Sequence, residues 1–221
     1  MNILLWPQSL KTVSIFESQD AFDRHLFDDP TYVKCPQLGR NIARYSLQLE
    51  ELYVSNFADA RYFLEPFFNV QPSKKLPTWT NLKQIALTST LISPHCLGDE
   101  INDLLQAAGF AARQMPMLEI MEVYNAEKAY AGVFTYAKTA ESSVVLWKCT
   151  WQFDLATRVH NTWRATAEKL TGKALGLVQE MTLAYDGPVK FIQRMVTGDY
   201  LLHPTSRSRL SKSSRAAPNS S

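Results

Sequence analysis

Glycine is scarce in this chain, 8 in 221 residues, and that shortage removes most places where backbone could wrap closely around a phosphate or cofactor. The motifs G-x-G-x-x-G, G-x-S-x-G and H-E-x-x-H are absent, so the dinucleotide, serine-hydrolase and zinc-protease chemistries they carry are not indicated. "GKALG" at 172–176 has its glycines and lysine in the wrong arrangement for a phosphate loop and suits the end of a helix better. Cysteine is scarce too. Cys35, Cys96 and Cys149 are odd in number and widely spaced, with no C-x-x-C pair, which argues for reduced thiols. Long apolar runs are also missing. "ILLW" at 3–6 is stopped by Pro7, too short for a signal-peptide core, and nothing approaches the roughly 18 residues that span a bilayer. The expectation is an intracellular protein, cytoplasmic or nuclear, with no membrane segment.

An excess of one charge is absent as well. The formal charge is +2, but the last eighteen residues hold Arg207, Arg209, Lys212 and Arg215 with no acid, leaving −2 on residues 1–203. A near-neutral body offers no broad positive field to a phosphate backbone, so nucleic acid is not its expected partner. The composition predicts a folded unit over 1–203 and a disordered Ser/Arg-rich tail over 204–221.

What the chain does have is apolar material: 46% hydrophobic residues, with five Trp, nine Tyr and eleven Phe. That is ample for a single folded core. It also has a recurring pattern, L-x-x-L-x-L. Leu10, Val13, Ile15; Leu49, Leu52, Val54; Leu82, Ile85, Leu87; and Leu118, Met121, Val123 start 39, 33 and 36 residues apart, and a looser fifth copy, Val178, Met181, Leu183, follows after 60. Amphipathic segments fit the gaps. Residues 99–115 place Ile101, Leu104, Leu105, Ala108, Ala111, Ala112 and Met115 on one stripe, with Asp99 as N-cap and Pro116 as stop. "DARYFLEPFF" gives a shorter helix that Pro66 ends or kinks, and "GRNIARYSL" gives another. Strand-then-helix units that cannot bury their apolar faces alone stack on one another. The expected fold class is therefore α/β, an irregular leucine-rich-repeat-like solenoid of parallel strands backed by helices. It is irregular because Ser18, Phe57, Thr90 and Ala126 stand where such repeats carry Asn or Cys.

After residue 126 the pattern changes. "YAGVFTYA" and "SVVLWKCTW" read as an inserted antiparallel hairpin with Val145, Trp147, Cys149 and Trp151 on one face. "DLATRVHNTWRATAEKL" reads as a further helix that starts near Asp154 and ends at Gly172.

Candidate chemistry is thin. His25, His95, His160 and His203 sit in separate contexts, and only His95 adjoins a cysteine, which is not ligand spacing for zinc. "DAFDRHLFDD" gathers Asp20, Asp23, His25, Asp28 and Asp29, residue types able to serve acid–base or metal chemistry, although a solvated helix and an Asp-Pro turn account for them equally well. No cofactor, metal or catalytic residue is assigned.

The segments "WPQSLKTVSIFES", "FADARYFLEPFF", "WTNLKQIALTSTLISP", "LLQAAGFAARQMPMLEIMEVYNA" and "AGVFTYA", in that order, and "LLHPTSRSRL" beyond them, resemble a group of uncharacterised F-box-like proteins of filamentous fungi. The resemblance implies a leucine-rich-repeat-like C-terminal domain of unknown function, usually preceded by an F-box that docks a Skp1-type adaptor. Only nine residues precede the first repeat here, so this chain alone is not expected to bind that adaptor.

The function expected from these observations is a non-catalytic protein–protein interaction domain with an unidentified protein partner. Alternation along the strands nominates Glu51, Tyr53, Ser55, Thr88, Glu122 and Tyr124, with Thr12, Ser14, Phe16, Gln84, Ala86 and Ile120, as an outward face for a partner of some positive charge. The alternatives are an enzyme using the acidic cluster at 20–29 and nucleic-acid association through the tail.

Overall fold

The computed structural model describes residues 6–7, 9–16, 35–68, 70, 75–127, 129–138 and 142–182, with backbone alone for 177–182. The acidic cluster at 20–29 and the tail at 204–221 lie outside these residues.

The described residues form seven strands and four helices. The strands are β1 (Thr12–Phe16), β2 (Glu51–Asp59), β3 (Gln84–Thr88), β4 (Ile120–Ala126), β5 (Ala131–Lys138), β6 (Ser143–Cys149) and β7 (Leu177–Thr182). The helices are α1 (Pro36–Tyr45), α2 (Ala60–Phe63), α3 (Gly98–Ala112) and α4 (Thr157–Thr171). The sheet is mixed, and its strand order equals the chain order, β1 to β7. β1 to β4 pair in parallel, β4–β5 and β5–β6 antiparallel, and β7 lies parallel to β6.

The repeated spacing explains the parallel half. Val13, Leu52, Ile85 and Met121 stand side by side across the four strands, and Ile15, Val54, Leu87 and Val123 form the next row. The leading leucines, Leu49, Leu82 and Leu118, are fully buried just ahead of their strands. A second column runs one residue after these leucines. Lys11, Glu50, Lys83 and Glu119 follow one another, each backbone carbonyl from Lys11 to Lys83 accepting two N–H groups from the next unit. Glu50 binds Lys11 at 3.3 Å and Lys83 at 2.9 Å. Charges of alternating sign thus mark the amino end of the stack and favour this register over a slipped one.

The antiparallel half is packed by aromatic rings. Trp147 and Trp163 are fully buried, and Trp163 lies 5.0 Å from Phe134 and 5.2 Å from Tyr136, centroid to centroid. Its indole N–H donates to the Leu105 carbonyl, which pins α4 to α3. Close approach of the two helices needs Gly109, since a Cβ there would come within 2.7 Å of Thr162.

The hairpin is formed as expected, and Val145, Trp147 and Cys149 share the core face. It stands between the fourth and fifth copies of the pattern, in the sheet as in the chain: β5 pairs with β4, β6 with β5, and Val178 and Met181 of the fifth copy fall on β7, which pairs with β6. Two differences concern helix ends. Asp99 lies in the first turn of α3 and the N-cap is Leu97, whose backbone N–H is taken by Glu100. The N-cap of α4 is Ala156, whose N–H is taken by Asn102 of α3. Gly172 ends α4 with φ 68°, the left-handed conformation its position anticipated, and Pro66 converts the end of α2 into a 3-10 turn. Among the described residues no helix is long and apolar enough to cross a membrane.

Candidate functional site

Five of the six principal residues nominated for partner binding are buried. Tyr53 is 7% exposed, Ser55 2%, Thr88 4%, Glu122 1% and Tyr124 8%, leaving only Glu51 half-buried. These side chains bond among themselves: the Tyr53 hydroxyl donates to Gln84 at 2.7 Å, Ser55 and Tyr124 share a 2.6 Å bond, and Thr135 donates to Glu122 at 3.3 Å. Burial holds the Tyr124 phenol far above its ordinary range, with the Ser55 bond opposing in part. Alternation had suggested a solvated side because it cannot tell a one-sided sheet from one enclosed on both sides. Ala86, Val133 and Ala137 on this face are also buried. The middle of this strand face is thus buried, while Ser14 at its edge is exposed and Thr12, Phe16, Gln84 and Ile120 are half-buried.

The irregular features gather at the carboxyl end of the parallel strands, where ligands bind in open α/β sheets. In β2 the register jumps from Val54–Leu87 to Asp59–Thr88, so residues 55–58 bulge out. Asn56, at the crest, has φ 57°, and its N–H donates to the Thr88 hydroxyl. A non-glycine residue in this region carries strain that surrounding structure must hold.

Asp59 does the holding. Its carboxylate, 4% exposed, accepts from the Arg61 N–H at 2.8 Å, the Ser89 hydroxyl at 2.7 Å, and the Thr90 N–H and hydroxyl at 3.0 and 2.6 Å. A buried carboxylate is tolerated when its oxygens are filled in this way. The clamp fixes the start of the β3–α3 loop. Asn125 donates to the Ile92 carbonyl and ties the same loop to β4.

Beyond the clamp, the loop and its neighbours present an aromatic and apolar rim. His95 meets Tyr130 edge-on at 5.6 Å, Tyr130 meets Trp151 at 6.0 Å, and Trp151 meets the buried Trp147 at 6.1 Å. Phe153 lies 5.6 Å from Trp147 and against Gly98. Tyr130, Trp151 and Phe153 are half-buried and His95 is exposed. Leu97, next to Gly98, is 73% exposed, the most exposed large apolar residue described. A leucine at an N-cap supplies no oxygen to the helix and here buries little, so neither helix stability nor packing explains it.

Burial raises Cys96 above its ordinary thiol value, keeping it a thiol near neutral pH, and also raises Tyr130 and Glu127. The arrangement suits contact with an apolar or aromatic side chain more than proton transfer. Among the described residues no group of three or more His, Cys, Asp or Glu could hold a metal. Sequence reasoning missed the rim because its members come from three loops. Leu97 alone left a trace, an apolar residue just ahead of an acidic first turn.

No curated protein and no solved structure matches the chain. A family model does match, across residues 5–200 and so through every strand and helix described, and the chain belongs to that family, DUF6546, whose function is unknown.

Proposed function

We propose that this chain is a non-catalytic protein-binding domain that takes its partner at the carboxyl-end rim, with Leu97, Tyr130, Trp151 and Phe153 as contacts. The observation that carries the reading is Leu97, an apolar side chain 73% exposed beside a half-exposed aromatic cluster. Exposed apolar residues rimmed by aromatics are the usual anchors of protein interfaces. The finer architectural reading, a short leucine-rich-repeat-like array resembling the substrate-recognition part of F-box proteins, is supported by the in-register rows and the sequential parallel order of β1 to β4. The six strand-face residues nominated from sequence then shape the sheet beneath the rim, and the partner meets the loops instead.

Affinity capture from cells that contain the native protein, with wild-type and Leu97→Glu chains, tests the reading. A partner recovered in stoichiometric amount by the wild type and lost with Leu97→Glu, at unchanged melting temperature, supports it. A partner retained by Leu97→Glu, or none recovered by the wild type, overturns the rim assignment.

A further inference from the structure

The column of alternating charge stops at the sheet edge. Lys83 lies between two carboxylates: Glu50 binds it directly, and Glu50, then Glu119, hold its pKa above the ordinary value. Glu50 in turn lies between two lysines. Among the described residues β1 is the terminal strand, so Lys11 has Glu50 on one side only, and its side chain is 57% exposed. The apolar rows break off at the same place. Val13 and Ile15 are half-buried, whereas their row neighbours Leu52, Ile85, Met121, Val54, Leu87 and Val123 are at most 2% exposed.

We propose that β1 accepts one more parallel strand, supplied by another polypeptide, with a carboxylate immediately ahead of it and apolar residues at its second and fourth positions. The carboxylate would stand beside Lys11 as Glu50 stands beside it on the other side, and the apolar pair would extend the rows past Val13 and Ile15. Sheet edges with free backbone groups recruit strands in this way, and side-chain pockets then select the sequence. The described strands of a second copy of this chain do not meet the requirement. Its own edge strands, β1 and β7, are preceded by Lys11 and Gly176, while the strands preceded by glutamates, β2 and β4, are interior. The site is separate from the rim, and the failure of either leaves the other standing.

The test uses the full chain and a fluorescein-labelled octapeptide, Gly-Glu-Thr-Val-Thr-Ile-Thr-Gly, with a Lys-for-Glu peptide and a reversed-sequence peptide as controls. Fluorescence anisotropy should show the Glu peptide binding about threefold to fivefold better than the Lys peptide, with the preference inverted in Lys11→Glu. Hydrogen exchange should slow at residues 12–16 when the peptide is added. Equal binding of the Glu and Lys peptides, better binding of the reversed peptide, protection confined to other segments, or no binding at about 1 mM peptide would each overturn the proposal. Leu97→Glu, which disables the rim, should leave these values unchanged.

Discussion

At the amino end of the sheet, successive units of the parallel half are alike: a residue of alternating charge, two backbone bonds to the previous unit, and a buried leucine. At the carboxyl end no two units match. β2 bulges through Asn56 into the Asp59 clamp, β3 runs into a nine-residue connection to α3, and β4 turns directly into β5. One set of strands therefore has a regular end that holds register and an irregular end where strain, buried charge and exposed apolar surface coexist. The contrast teaches where to look in a stacked fold, since features that local rules do not favour persist where something other than stability retains them.

The largest disturbance should come from Trp147, which is fully buried and supports both Trp151 and Phe153 from beneath. Trp147→Ala is expected to cost about 3–5 kcal/mol in urea unfolding, enough to threaten a domain of ordinary stability. An unchanged midpoint would detach the rim from the core. Next comes the clamp. Asp59→Ala leaves four donors without their acceptor, and a loss of about 3 kcal/mol is expected, with faster hydrogen exchange in residues 88–97. If exchange quickens equally at both ends of the sheet, the clamp is not local to the carboxyl end.

Leu97→Ser should move stability the other way. It gives α3 a capping oxygen where a leucine now stands, and a gain of about 1 kcal/mol is expected together with loss of the partner. A variant that is both more stable and fully binding would show that the exposed leucine has no functional claim. The smallest effect belongs to the regular end. Hydrogen bonds from Lys83 first and Lys11 second hold the Glu50 carboxyl below its ordinary 4.5. A folded-state value below the unfolded one adds stability that is present above pH 4.5 and disappears as pH falls through the folded value. Glu50→Gln should thus flatten the decline of melting temperature below about pH 4.5 while changing little at pH 7. A slope like that of the wild type would remove the column's role in acid stability.

The regular end was largely legible in the sequence, and the other end was not. Leu49, Leu52 and Val54, and their equivalents, announced both the strands and their stacking, because an apolar spacing is a local signal that burial preserves. Gly172 and Pro66 were equally plain, since each acts through its own backbone. The burial of Tyr53, Glu122 and Tyr124 was not legible, because polar side chains that satisfy one another look, in one dimension, like polar side chains facing water. The Asp59 clamp joins partners about thirty residues apart, and the rim joins residues 95, 130 and 151. Such meetings depend on register, which no single segment carries.

The alternating column also constrains how an array of this kind could lengthen. Tandem copying of one strand-and-helix unit would set Lys beside Lys or Glu beside Glu, while copying two adjacent units restores the sequence of signs. Each mismatch costs only a few tenths of a kcal/mol at an exposed position, but it recurs at every misplaced junction. Growth of the parallel half of the sheet is thereby biased toward even steps, a parity rule written in a single side chain ahead of each strand.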